Sequence, residues 1–390
     1  MTALPAVDVA VVGGGVVGCA CAWTAAQAGL DVALFEARDI GGGATAAAMG
    51  HLVMLDDDPA ELALARLSMH AWSRWPGWSR VAHRQAGTLW LAEDDAQQHA
   101  AQRRVARLRA ADWDAEWLDA AALRVVEPRL APDLVGALWV PRDEIADGPE
   151  LARALASDLQ SAGGSVHAGC GVDGVTADGL RLSDGRGVPA RHVLLAAGVD
   201  SVALWPGAAR LGLRPRHGQL LITDRYPGWV RHALVEMGYA DSAHGCATES
   251  VAFNAQPRPS GQILVGSSRR EGAATSRVDP ALLSRMLRRA ERFLPRLGEL
   301  RALRTWAGCR PATADGRPLI GALPQDVRPG GTRTWVATGH EGLGLTTAMG
   351  TAQLWLDLLL ERPPSIDPAP YAPVPARAQA RRETAEEGVA

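Results

Sequence analysis

One segment near the start restricts what this chain can fold into more than all the rest. Val9-Ala10-Val11-Val12 is an apolar strand, and Gly13-x-Gly15-x-x-Gly18 follows at once. A helix-compatible stretch comes next, then a second strand from Asp31 to Phe35 that ends at an acid, Glu36. This is one βαβ unit carrying a dinucleotide fingerprint. Gly13 permits the tight turn, Gly15 lets backbone N–H groups approach a pyrophosphate, and Gly18 lets the helix pack close to the strand. The helix N-terminus, with Val16 and Val17 in its first turn, offers positive potential to phosphate charge. Glu36, about twenty residues on, is placed to accept hydrogen bonds from a ribose 2′-hydroxyl. An acid there disfavours a 2′-phosphate, so the motif predicts FAD or NAD rather than NADP.

At 390 residues the chain suits two domains better than one. A net charge of −3 and the absence of a basic stripe argue against a nucleic-acid partner. All 40 basic residues are arginine. Without lysine there is no Schiff base, which excludes pyridoxal-phosphate chemistry. Cys19, Cys21, Cys170, Cys246 and Cys309 form no CxxC pair and no metal-ligand spacing, and an unpaired set fits a reducing compartment. The N-terminus lacks the basic flank of a signal peptide. No apolar run reaches about 18 residues, the length a spanning helix needs. The expectation is a cytoplasmic protein without metal; peripheral association with the inner membrane stays open.

Along the chain, Gly41 to His51 is rich in small residues and could lie against a flat ligand. Asp58-Pro59 starts a helical pattern running to Trp72 and Trp75. Trp72, Trp75 and Trp78 recur at helical spacing and read as core or domain-interface residues. Asp94 to Ala110 reads as an exposed amphipathic helix, and Asp119 can cap a short helix ending at Glu127-Pro128. Gly148-Pro149 opens a helix through Gln160, with a strand at Ser165 to His167. Val193 to Gly198 is a buried strand ending in small residues. Gln219–Thr223, Ser250–Phe253 and Gln262–Val265 are short strands in a separate, strand-rich region. Asp279-Pro280 opens a helix to Phe293, Thr332 to Thr338 is a strand, and Leu345 to Leu360 a helix. The proline-rich tail, 363–390, is expected to be flexible or draped over the surface.

Two later segments add to the fingerprint. Trp306-Ala-Gly-Cys-Arg310-Pro-Ala-Thr-Ala-Asp-Gly-Arg-Pro-Leu-Ile-Gly321 is one. Ala337-Thr-Gly339-His340-Glu-Gly342-Leu343-Gly344-Leu345-Thr346 is the other, a strand whose glycines lead straight into a helix. Backbone amides at such a junction can hold an electron-rich group. Nucleotide signals at both ends of the chain fit a long cofactor held at both ends.

Together with Ala196-Ala197-Gly198, these motifs resemble the D-amino-acid oxidase-like flavoprotein superfamily, over roughly residues 7–362. Met49-Gly50-His51-Leu52, Ser250–Asn254 and Gly266–Arg269 look closest to its D-hydroxyproline and D-amino-acid dehydrogenase branch, with glycine oxidase nearby. The resemblance implies an α/β fold: a Rossmann-like FAD-binding domain from 1–80, 148–215 and 306–362, and a discontinuous antiparallel-sheet substrate domain from 81–147 and 216–305. It implies FAD on Gly13, Gly15, Val16, Val17, Gly18, Glu36, Ala37 and Arg38 at the adenosine end. Val172, Ala197 and Gly198 join that end, while Gly43, Ala44, Thr45 and Ala46 meet the phosphates or ribityl chain. Met49, Gly50, His51 and the run Gly339, His340, Gly342, Leu343, Gly344, Leu345 and Thr346 would approach the isoalloxazine. A helix N-terminus there stabilises negative charge on the reduced ring.

Arg310 occupies the motif position at which the family holds the substrate carboxylate, and a guanidinium supplies a rigid two-donor fork for it. The alternative is a structural ion pair. His51 is expected to orient the substrate amine or take its proton, or else to be a packing histidine. Tyr239 could cap the substrate, although a core role is open to it. Sarcosine oxidases attach flavin through a cysteine whose counterpart here is Gly308; Cys309 is off by one, so non-covalent FAD is expected. The expected reaction is oxidation of a D- or secondary amino acid, such as proline or hydroxyproline, to the imine by hydride transfer. Two alternatives remain. One is a glycine- or sarcosine-type oxidase producing hydrogen peroxide. The other is the flavin subunit of a heteromeric dehydrogenase with partner chains. The electron acceptor is a quinone, a partner protein or oxygen; the missing lysine, which promotes the oxygen reaction in the sarcosine-oxidase branch, tilts the reading away from oxygen.

Overall fold

The computed structural model describes residues 4–54, 58–205, 211–238, 248–272, 275–324 and 331–373. Strand Val7–Val12 lies parallel to Val32–Glu36 on one side and to Gly187–Leu195 on the other. Ser165–Ala168 continues the parallel sheet beyond Val32–Glu36, and Arg333–Thr338 continues it beyond Gly187–Leu195, with antiparallel Leu319–Ala322 outside. These strands are apolar runs because both faces are covered. Val9 and Val11 pack into the layer of helices Val16–Gln27, Gly148–Ser161 and Gly344–Leu359. Ala10 and Val12 face the hairpin side chains Leu180 and Leu182.

The second sheet has eight strands, in the order Ala302–Ala312, Arg214–Arg225, Gln262–Glu271, Glu249–Pro257, Ala233–Glu236, Thr88–Ala92, Gly136–Val140 and Glu116–Asp119. Helix Pro280–Phe293 covers one face, where Leu89, Leu221, Leu234, Phe253 and Val265 meet Met286 and Phe293. Phe253 stacks on Phe293 with ring centroids 4.6 Å apart. Side chains alternate along a strand, so Gly218, Leu220, Asn254 and Gly266 fall on the opposite face, toward the first sheet. A β-carbon added to Gly266 would lie 2.7 Å from Leu220 and 3.1 Å from Met49 Sδ, which shows how closely the two halves meet there. A small third sheet places His51–Leu52 beside Glu144–Ala146, with His51 opposite Ile145.

Five of the described helix starts are set by aspartates. Asp58, Asp94, Asp119, Asp147 and Asp279 each accept a first-turn backbone N–H, at 2.7, 2.8, 2.8, 3.0 and 2.9 Å. Each such cap contributes about 1 kcal/mol.

The strand expected at Val193–Gly198 is Gly187–Leu195; Ala196 to Gly198 leave it and turn against Gly13. Gln219–Thr223 extends to Arg214–Arg225 because it is paired on both sides. That strand and Ala302–Ala312 pair along nearly their whole length, so both run through the boundaries expected near 215 and 306. Trp72 and Trp75 are core residues, 1% and 3% exposed, and the Trp72 indole donates to the Leu345 carbonyl at 3.0 Å. In the tail, buried Tyr371 donates its hydroxyl to the Ala60 carbonyl. No helix among the described residues is long and apolar enough to cross a membrane.

Candidate functional site

The carboxyl ends of the parallel strands converge on the fingerprint. Gly13 has φ +113°, and a β-carbon there would sit 2.5 Å from the Ala196 carbonyl oxygen. A β-carbon on Gly18 would sit 1.9 Å from the Gly13 carbonyl oxygen, so only glycine lets helix Val16–Gln27 seat at this depth. Gly15 caps that helix, and the Thr45 hydroxyl accepts the Val16 N–H at 3.1 Å. Thr45 belongs to the short helix Gly43–Ala47, which carries Ala44 and Ala46.

Glu36 is tied to the backbone on both oxygens: Oε2 accepts the Gly14 N–H at 2.7 Å and Oε1 the Arg38 N–H at 2.9 Å. The carboxylate therefore fixes the loop as well as facing outward, and it keeps lone pairs for a ribose. Ala37 and Arg38 follow it. The Gly169 and Cys170 N–H groups donate to the Arg38 and Glu36 carbonyls at 3.0 and 2.8 Å. That pairing leads the neighbouring chain alongside 36–38 and on to Val172. Ala197 abuts Gly13 as well. Gly43 and Gly198 have φ of +56° and +58°, and β-carbons added there would meet nothing within 4 Å. Both border open space.

A second helix N-terminus reaches this region. Helix Gly344–Leu359 begins with no side-chain cap, and a β-carbon on Gly344 would lie 4.0 Å from Val17 Cγ2. A β-carbon on Gly148 would lie 2.8 Å from the Thr45 carbonyl oxygen and 3.4 Å from Leu345, which joins the phosphate side to this helix. Gly339 turns at φ +81° with no room for a side chain, since a β-carbon would be 2.6 Å from Thr313. His340 is buried and bonds Thr351 Oγ1 through Nε2 at 2.9 Å; burial pushes its pKa down to about 3. It shapes the turn and is neutral. Leu343 precedes the helix, and Thr346 Oγ1 accepts the Val53 N–H and donates to the His51 carbonyl, both at 3.2 Å. Thr346 thus ties this helix to the Met49–His51 segment.

His51 Nε2 is out of contact with solvent and has no hydrogen-bond partner among the described residues. Burial, and then the Arg258 guanidinium, hold its pKa down to about 4. Arg258 braces this segment from behind. It donates to the Met49 and Ala146 carbonyls at 3.1 and 3.3 Å and to Asp147 at 2.9 Å, and a β-carbon on Gly50 would strike it. Asp143 Oδ1 accepts the Met54 N–H at 3.0 Å, and burial lifts that carboxyl to about 7.

Arg310 comes from the second sheet. Its guanidinium lies over Gly218, donates to the Ser268 carbonyl at 3.2 Å, and has no acidic partner among the described residues. A β-carbon on Gly342 would lie 3.9 Å from Arg310 Nε, so this guanidinium borders the glycine turn. Gly308 shares this face, and a β-carbon there would meet Ala47 at 2.3 Å. Cys309 points the other way, its thiol donating to the Thr275 carbonyl at 3.5 Å. Tyr239 and Cys246 lie outside the described residues.

Sequence reasoning missed Arg258, Arg216 and Glu271. Arg216 forms ion pairs with Glu271 at 2.7 Å and Glu341 at 2.6 Å. No spacing marks these residues, because their partners are far away in the chain.

Open space at Gly43 and Gly198, two helix N-termini in the same region and a buried imidazole nitrogen without a partner among the described residues suit a long dinucleotide better than a short ligand. The comparisons with known proteins agree. Glycine oxidase of Geobacillus kaustophilus is 27% identical over 383 residues, 94% of this chain and 96% of that protein. D-amino acid dehydrogenase 2 of Pseudomonas aeruginosa is 30% identical over 431 residues, 92% and 96% of the two chains. The crystal structure of the Geobacillus glycine oxidase superposes with a TM-score of 0.83 at 26% identity, covering 95% of this chain and 99% of that one. The family model of FAD-dependent oxidoreductases known as DAO matches residues 8–358, and the chain belongs to that family.

Proposed function

We propose that this protein oxidises a D- or secondary α-amino acid to its imine, using non-covalently bound FAD. One observation carries the reading: Arg310, a guanidinium without an acidic partner among the described residues, borders the glycine turn at 339–344. Such a group binds a carboxylate with two parallel hydrogen bonds. The names of the relatives, glycine oxidase and D-amino acid dehydrogenase, point to the same substrate class.

Val16, Glu36 and Thr45 would hold the nucleotide end of FAD, and Gly342 to Thr346 its ring end. Bound there, FAD supplies the hydride acceptor. The chain's own residues do the rest. Arg310 fixes the carboxylate. His51, neutral above pH about 4 because burial disfavours its charged form, would orient the substrate amine from the segment that Thr346 ties to this helix. Holding the amine and carboxylate at two fixed points aims the α-hydrogen, and such positioning can supply roughly 7–11 kcal/mol. With Cys309 turned to the other face, no thiol from strand Ala302–Ala312 reaches the ring.

The test is anaerobic bleaching of the bound flavin by D- and L-amino acids, including glycine, sarcosine, proline and hydroxyproline, each beside the matching amine without a carboxylate. Amino acids should bleach the flavin and the amines should not. Equal bleaching by both would remove the carboxylate clamp from the mechanism. Failure by every amino acid with the isolated chain, and success once partner chains are added, would favour a heteromeric dehydrogenase.

The lack of any lysine favours a quinone or partner protein over oxygen as acceptor. With substrate present, a dye should reoxidise the flavin faster than air does. Hydrogen peroxide formed at the dye-reduction rate would restore the oxidase reading.

A further inference from the structure

A row of charged side chains crosses three strands on the face of the second sheet that looks toward the first. Glu271 stands opposite Arg216, and Arg216 stands opposite Arg310. Residues directly opposed in antiparallel strands share a face with their β-carbons about 5 Å apart. Two guanidinium groups so placed repel each other, yet the acids are unevenly shared between them. Arg216 has Glu271 at 2.7 Å and Glu341 at 2.6 Å, whereas Arg310 has only the Ser268 carbonyl.

Glu341 does not belong to this sheet. It comes from the turn between strand Arg333–Thr338 and helix Gly344–Leu359, and it sits in the left-handed region at φ +48°. Glycine or asparagine takes that backbone conformation more readily than glutamate. Its carboxylate crosses to the other half of the molecule, while the next residue, Gly342, borders Arg310.

Arg269 adds a third guanidinium, its Nε 3.8 Å from Glu271. Arg214 also approaches Glu271, its Nε 3.9 Å away, so Glu271 is shared among several guanidinium groups, whereas Glu341 pairs with Arg216.

We propose that Glu341 is a positioning residue of the carboxylate clamp: together with Glu271 it holds Arg216, so that Arg310 alone presents an unshared guanidinium to the substrate. This rests on the reading of Arg310 given above. Without the Glu341 charge, Arg216 competes for the carboxylate from one strand away. The substrate then binds more tightly but in the wrong place, and its α-hydrogen is no longer aimed.

Glu341→Gln in the holoenzyme tests this. Acetate, a carboxylate that cannot be oxidised, is titrated by its perturbation of the flavin absorbance. It should bind about tenfold more tightly to the variant, as expected for one close charge partner lost. In the same variant KM for the best amino acid should fall and the rate of anaerobic flavin reduction should fall about tenfold, the opposite of a simple binding defect. Glu341→Asp should recover part of the rate. In Arg216→Gln/Glu341→Gln the competing guanidinium is gone, and acetate affinity should return to that of the unmodified protein. FAD content and Tm report whether each variant is folded. Unchanged or weaker acetate binding by a folded, FAD-loaded Glu341→Gln overturns the proposal, whatever happens to turnover, since a merely loosened turn would give that result. Failure of every amino acid to reduce the unmodified flavin would instead sink the functional reading, and the acetate titration would still decide the role of Glu341.

Discussion

The end that would hold the nucleotide and the end that would hold a substrate carboxylate are built by different rules. At the nucleotide end most determinants lie between residues 13 and 50, and they act through the backbone: a turn at Gly13, a helix seated on Gly18, and a glutamate accepting two amide N–H groups. At the end that would take a carboxylate, Arg310, Arg216, Glu271, Glu341 and His51 come from five separated segments; ion pairs join Glu271 to Arg216 within the sheet and Arg216 to Glu341 across to the other half, and Arg310 holds the Ser268 carbonyl. The first end is a matter of room and the second a matter of charge. They should therefore fail differently, one by losing its cofactor and the other by losing its chemistry.

The largest effect belongs to the crowded end. Gly18→Ala puts a methyl group 1.9 Å from the Gly13 carbonyl oxygen, and overpacking of backbone against backbone costs about 3 kcal/mol or more. The variant should lose FAD on desalting and melt well below the parent. Full FAD retention at an unchanged Tm would break the comparison at its first term. Arg310→Ala comes next and should behave in the opposite way, keeping FAD and fold while losing about 3–5 kcal/mol of transition-state stabilisation. Arg310→Lys should recover little, because lysine keeps the charge but not the planar fork. If kcat/KM falls equally for the amino acid and for the amine without a carboxylate, Arg310 is structural and the contrast collapses.

The smallest effect at neutral pH, one that grows only on acidification, concerns His340, which is buried and neutral in the turn before helix Gly344–Leu359. Its folded pKa of about 3 lies below the ordinary 6.5, so the unfolded chain takes up the proton first. Stability is complete above pH about 6.5 and declines as the pH falls from there toward 3, by at most about 1.4 kcal/mol per unit. His51 adds the same trend between 6.5 and about 4. His340→Gln, which retains a partner for Thr351, should flatten the slope of Tm against pH without abolishing it. A slope identical to that of the parent would show that His340 is not the titrating group.

The same contrast explains what could be read from the chain alone. The fingerprint, the Glu36 acid and the aspartate caps are local: the constraint and the residue that meets it lie within a few turns. Arg310 was legible through its motif. Arg216 and Glu271 were not, because their meaning depends on which strand lies beside which, and that register is set by long-range pairing. Arg258 was hidden for a similar reason, since its partners Met49, Ala146 and Asp147 are each more than a hundred residues away. Strands Thr88–Ala92 and Gly136–Val140 escaped notice individually because their place in the second sheet is fixed by neighbours such as Ala233–Glu236, far along the sequence.

Among the described residues Ala302–Ala312 is the outermost strand of its sheet, held by a single neighbour, and it carries Gly308 and Arg310 on one side and Cys309 on the other. Side-chain direction in a strand is a question of odd and even. Deleting or inserting one residue upstream of Arg310 would exchange the two sides, sending the guanidinium outward and driving a side chain against Ala47, where even a β-carbon has no room. Whether a guanidinium faces the glycine turn at all is then a single step of parity on an edge strand, a change that one codon gained or lost can make.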